Sequence, residues 1–138
     1  MYSWTKKYVG IPFESGGRTE KGCDCYGLIR LILKNEYYVF LPELKSDYQA
    51  LNSQETKLLF SEYAPILCGT KIEAPEEKAV CLIRTTAGFL THVGIYAGDG
   101  FIIHSRNRTG AVCERINSHF LTGRIEGWYH VRTNKMST

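Results

Sequence analysis

Between residues 25 and 34 the apolar positions fall nearly all round a helical wheel, with Leu28, Ile29, Leu31, Ile32 and Leu33 crowded together. That density predicts a buried helix rather than one lying on the surface. Asp24 stands where its N-cap belongs. Upstream, residues 2–9 read as a short helix closed by Gly10 and Pro12, and a glycine-rich turn follows at Ser15-Gly16-Gly17-Arg18. Residues 46–63 read as a second, amphipathic helix, capped by Ser46 or Asp47 and ended by Pro65.

Beyond Pro75 the period changes. Residues 79–84, 91–97, 100–105, 110–116 and 126–132 are short β-rich runs separated by turn residues. Gly98-Asp99-Gly100 is a hairpin signal between two of them. Helices first and an antiparallel sheet afterwards predict an α+β domain. Without repeats, low-complexity tracts or a linker, residues 1–138 read as one domain.

Composition narrows the function without choosing it. At 43% apolar and 22% charged residues the chain has the balance of a folded globular protein, not a disordered one. The net charge of +3 comes without a dense Lys/Arg cluster, which argues against nucleic-acid binding. No run approaches the roughly 20 apolar residues of a membrane span, so no membrane insertion is expected. The N-terminus lacks the apolar segment of a secretory signal, so the expectation is synthesis in a reducing cytoplasm, with another carrier if the protein acts elsewhere. Five cysteines are an odd number and do not suggest a disulfide scaffold. The Cys23-x-Cys25 spacing is too short for a usual zinc pair and has no matching second pair, so neither metal nor cofactor is expected.

Cys25 is set apart by its position. It follows the cap and occupies the first turn of the buried helix, where backbone N–H groups and the helix dipole favour a thiolate. The same N–H groups can hold an oxyanion. A cysteine nucleophile needs a proton acceptor, and the acceptor needs an orienting partner. His92 and His104 lie on the two arms of the expected hairpin, opposite or nearly opposite each other, and can fill those roles. His119, in a polar loop, and His130, beside Tyr129, read as structural or solvent-facing.

At these residues the sequence resembles the NlpC family of papain-like cell-wall peptidases, in particular the branch found in phage tails and phage-derived particles. The likeness runs through Tyr8-Val9-Gly10-Ile11-Pro12-Phe13, Gly16-Gly17-Arg18 and Gly22-Cys23-Asp24-Cys25-Tyr26-Gly27-Leu28-Ile29-Arg30. It continues at Thr91-His92-Val93-Gly94-Ile95-Tyr96 and Phe101-Ile102-Ile103-His104-Ser105. The resemblance implies a papain-like fold, with N-terminal helices packed on a C-terminal antiparallel sheet. It implies Cys25 as nucleophile, His92 as base and His104 as the residue that orients it. It further implies hydrolysis of amide bonds in peptidoglycan stem peptides, often between D-γ-glutamyl and a diamino acid, with phage tail proteins as partners and delivery to the cell wall from a virion or tail. Asp24, by the same likeness, would help bind the substrate's amine.

Two substrate-side positions depart from the common pattern. Tyr26 stands where many relatives have Ser, and Phe13 where many have a Tyr hydroxyl. A bulky Tyr26 and a Phe13 without a donor could close the site, which gives the alternative of a tail-assembly module with the same fold and little activity. The region around Glu77-Lys78-Ala79 also lacks the usual Gly-Asp.

Overall fold

A computed structural model describes residues 1–44, 64–84 and 90–132. The longest helix among the described residues, α1 (Cys25–Tyr37), starts where the sequence places it. Asp24 is extended and its side chain accepts from the Gly27 N–H, so the cap is real. The helix runs past the expected end at Lys34 because its last turn is held from outside. Tyr8 donates to Glu36 at 2.6 Å, and the Tyr37 hydroxyl accepts from Trp4 Nε1 at 2.8 Å. Tyr38 then takes a left-handed conformation at φ 56° and ends the helix.

The segment expected as a short helix is a 3₁₀ helix, Ser3–Lys7. A two-stranded hairpin, β1 (Arg18–Thr19) and β2 (Gly22–Cys23), leads directly into α1. The amphipathic helix expected over 46–63 lies outside the described residues. Residues 64–67 are helical, with Cys68 N–H bonded to Ala64 O, and Pro65 lies in that turn.

Six strands form one antiparallel sheet: β3 (Thr70–Ile72), β4 (Val80–Arg84), β5 (Leu90–Gly98), β6 (Phe101–Arg106), β7 (Gly110–Arg115) and β8 (Ile125–His130). Their order across the sheet is β3-β8-β4-β5-β6-β7. Five of the six match sequence expectations to within a residue or two. The sixth, β3, has two exposed residues of its three and no apolar alternation, so pairing with β8 alone defines it.

Helix α1 covers one face of the sheet. Leu28, Ile29, Ile32 and Leu33 are fully buried there with Val80, Val93, Ile95 and Ile103. Each such side chain contributes about 1.5–3 kcal/mol of burial free energy. The other face is smaller, and Leu121 and Trp128 cover Cys81, Ile83 and Ile102. A mixed fold of one principal helix on a large antiparallel sheet is the α+β architecture expected.

The hairpin between β5 and β6 has one feature that sequence alone does not set. The pairs run Ile95↔Ile103 and Tyr96↔Ile102, then Gly98↔Phe101, leaving Ala97 as an extra residue. Its carbonyl accepts from Tyr2 N–H at 2.7 Å, which ties the bulge to the N-terminal segment. If pairing ran on from Gly98↔Phe101 without the bulge, His104 would fall opposite Ile95, and His92 and His104 would lie on opposite faces. The bulge returns them to one face.

Candidate active site

The site is built from the start of α1 and from strands β5 to β7. Asp24 anchors the helix start. Its Oδ1 accepts from Gly27 N at 2.7 Å and Arg18 Nη1 at 2.8 Å, and its Oδ2 from Gly16 N at 3.1 Å. Arg18 also donates to the carbonyls of Gly17, Glu43 and Leu44. Gly27 has to be glycine, since a Cβ there would come within 2.0 Å of Gly17 O. Cys25, the first helical residue, is half-buried.

A buried bond ties this helix start to strand β6. Ser105 donates to Cys23 O at 3.1 Å. Ser105 and His104 are consecutive on β6, so this bond also sets where His104 stands along the strand relative to the helix start. Cys23 is held further by Pro12 O accepting from its N–H at 3.0 Å. Phe13, half-buried, runs beside Cys23 as an isolated parallel bridge.

His92 and His104 meet across β5 and β6, with Nε2 of His92 2.7 Å from Nδ1 of His104. Continuing the ladder from Ile95↔Ile103 puts His104 opposite Gly94, so the histidines meet diagonally rather than face to face. A Cβ at Gly94 would press on Ile102 Cδ1 at 3.0 Å and touch His104 Cβ at 3.4 Å. His104 is fully buried, and its Nε2 lies 2.8 Å from Glu114 Oε1 on β7. Glu114 also receives Arg106 Nη1 at 3.2 Å and the Ser118 hydroxyl at 3.1 Å. Sequence reasoning missed Glu114. Its only signal was a polar residue on the strand beside His104, and that adjacency depends on the β6–β7 register.

Burial pushes the His92 imidazole down to about 3, helped by repulsion between the protonated forms of His92 and His104 and by the Arg106 cation. Burial also lowers His104, against the opposing pull of Glu114. At Glu114, burial works to raise the carboxyl, but bonding and charge from His104, Ser118 and Arg106 prevail and lower it. Both rings are therefore neutral at neutral pH and Glu114 is ionised. A carboxylate only accepts, so His104 donates its Nε2–H to Glu114. Its Nδ1 then accepts from His92 Nε2–H, and the remaining basic nitrogen is Nδ1 of His92.

The other thiols are unlike a nucleophile's. Burial drives Cys23 and Cys81 up to about 12 and raises Cys68 and Cys113. Tyr26 is 1% exposed, with its hydroxyl donating to Pro42 O at 2.6 Å and Arg18 lying over its ring. Its bulk is packed in the interior and presents almost no surface to a ligand. His119 is exposed, and His130 pairs with Glu76 at 2.6 Å, apart from the histidine pair. Among the described residues no cluster of three His, Cys, Asp or Glu side chains is placed to hold a metal. No helix among them is long and apolar enough to cross a membrane.

A helix-start cysteine and a histidine pair on an antiparallel sheet define a papain-like architecture. The NlpC/P60 family profile matches residues 10–129, and the chain belongs to that family. It is 22% identical over 114 residues to the murein DD-endopeptidase MepS/murein LD-carboxypeptidase of Escherichia coli K12, covering 82% of this chain and 52% of that protein. It is 23% identical over 126 residues to the gamma-DL-glutamyl hydrolase of Bacillus subtilis 168, covering 88% of this chain and 26% of that one. The chain thus spans about half the length of the E. coli relative. Among solved structures, an NlpC/P60 family protein from Bacillus cereus superposes with a TM-score of 0.64 at 21% identity, over 93% of this chain and 38% of that one. The NlpC/p60 domain of the peptidoglycan hydrolase SagA superposes at 0.57 and 19% identity, covering 91% of each chain.

Proposed function

We propose that the protein is a cysteine peptidase that hydrolyses amide bonds in peptidoglycan stem peptides, with the D-γ-glutamyl–diamino acid bond as its target. The observation that carries the reading is the polarised row His92–His104–Glu114, held to the Cys25 helix start through the Ser105–Cys23 bond. Similarity to a murein endopeptidase and a γ-glutamyl hydrolase supports the substrate class.

In this mechanism Nδ1 of His92 takes the Cys25 proton as sulfur attacks the carbonyl. The tetrahedral intermediate collapses to a thioester, and the departing amine takes the proton from His92. Water then attacks the thioester while His92 accepts its proton, and the returning proton frees the Cys25 thiol and a carboxylate product. Phe13, beside Cys23, borders the substrate side. Asp24 would bind the substrate's amine only by sharing a carboxylate that already serves three donors. The tail-module alternative loses its steric motive, since Tyr26 packs inward.

Digestion of purified muropeptides under reducing conditions tests the activity. Wild type should release new amine termini, and Cys25→Ala should release none. No products from wild type would overturn the reading. We further propose that the protein acts from a phage tail or phage-derived particle. Mass spectrometry of purified particles should then find the chain at fixed stoichiometry with tail proteins.

A further inference from the structure

We propose that Glu114 is a positioning residue of this site, fixing which nitrogen of His92 receives the thiol proton and stabilising the imidazolium that results. The proposal rests on the Cys25–His92 reading above.

The argument starts from the tautomers. Neutral His104 carries one ring proton, and inside the protein that proton must have an acceptor. Glu114 Oε1, 2.8 Å from Nε2, supplies it. Without that carboxylate the proton could equally sit on Nδ1, facing His92 Nε2 at 2.7 Å. His92 would then accept at Nε2 and carry its own proton on Nδ1. In that arrangement Nδ1 is a donor and cannot take a proton from sulfur. The carboxylate thus selects the productive state of a ring it does not touch.

It also bears on charge. When Nδ1 of His92 takes the thiol proton, His92 becomes cationic, and its Nε2–H points along a chain of dipoles that ends on Glu114. His104 and Arg106 from β6 and Ser118 from the turn after β7 bond to Glu114, and Phe120 from the same turn lies against the His104 ring. Arg106 lies with its guanidinium 3.9 Å over the Phe120 ring, and Arg124 lies over the same ring at 4.9 Å. Arg106 opposes Glu114 but is 36% exposed on its side chain and so is screened by water. Ser118 holds the second oxygen, Oε2, and so fixes the plane of the carboxylate. Such outer partners set ring orientation and basicity.

Alkylation of Cys25 by iodoacetamide, followed from pH 5 to 10 in the full chain with peptide mapping, tests this without a substrate. Wild type should react with a midpoint below the ordinary thiol value of about 8.5. Glu114→Gln should move that midpoint upward by about one pH unit and lower kcat on muropeptides about 10–100-fold, with KM nearly unchanged. Glu114→Asp, which keeps the charge, should recover part of both. Glu126→Gln, removing a surface carboxylate paired with Lys71, should change neither. If Glu114→Gln does not fold, Ser118→Ala should give a smaller shift of the same sign. A midpoint equal to wild type in the folded variant would overturn the proposal, whatever happens to its melting temperature. A shifted midpoint without muropeptide cleavage by wild type would uphold Glu114 and overturn the substrate reading. Cleavage with an unshifted midpoint would do the reverse.

Discussion

The start of α1 and the strands that carry the histidines are held by different kinds of partner. Around Asp24 the partners are near neighbours in sequence: Gly27, Arg18 and Gly16 lie three to eight residues away. Along the histidine row they lie ten and twelve residues apart and on three different strands. Local construction survives small changes elsewhere in the chain. The histidine row depends on register, and a single bulge at Ala97 decides whether its two rings share a face. The difference predicts that the helix start governs stability and the strand row governs rate.

The sharpest way to break that division is His92→Ala. A positioned general base contributes about 10²–10⁴ in rate, so turnover should fall by about 10³-fold, or close to 4 kcal/mol of barrier. Stability should fall only by the about 1–3 kcal/mol that leaving His104 Nδ1 without its partner costs, a smaller change than the one in the barrier. Unfolding of His92→Ala at room temperature would contradict the division. Gly27→Ala should show the opposite pattern. The new Cβ would stand 2.0 Å from Gly17 O, and backbone must move to admit it. Overpacking of this kind costs about 2–3 kcal/mol, which for a chain of this size lowers the melting temperature by about 6–10 °C. Calorimetry checks it. An unchanged melting temperature would mean that the β1–β2 hairpin yields freely.

The same contrast explains what could be read in advance. Asp24 and Cys25 were legible because cap, cysteine and apolar helix are contiguous, so local rules suffice. His92 and His104 were legible as a pair from the hairpin signal, but their diagonal meeting was not, since it needs the bulge that Tyr2 anchors from far upstream. Glu114 was illegible for the same reason, one strand further out. Tyr26 looked like a substrate-side residue because it adjoins Cys25. A helix turns about 100° per residue, which carries the next side chain inward and under Arg18. Strand β3 carried no signal because an exposed edge strand needs no apolar alternation.

The smallest effect sharpens the comparison by separating the two regions with pH. His92 and His104 are both held below their ordinary value of 6.5 in the folded chain, chiefly by burial. As pH falls through about 6.5 the unfolded chain takes up protons that the native chain refuses. Stability rises with pH wherever the unfolded state binds more protons, so this contribution is complete above about 6.5 and is lost on the way down toward the folded values. Glu114 adds little between 6.5 and 4.5, because its carboxyl is ionised in both folded and unfolded chains over most of that window and its own loss comes below 4.5. Wild type should therefore lose about 2 kcal/mol from His92 alone between pH 6.5 and 4.5, or about 6–8 °C of melting temperature. His92→Gln should flatten that slope, whereas Gly27→Ala should keep it and start from a lower melting temperature. Parallel slopes in wild type and His92→Gln would mean that the refused protons belong elsewhere, and that the histidine row carries no cost of burial.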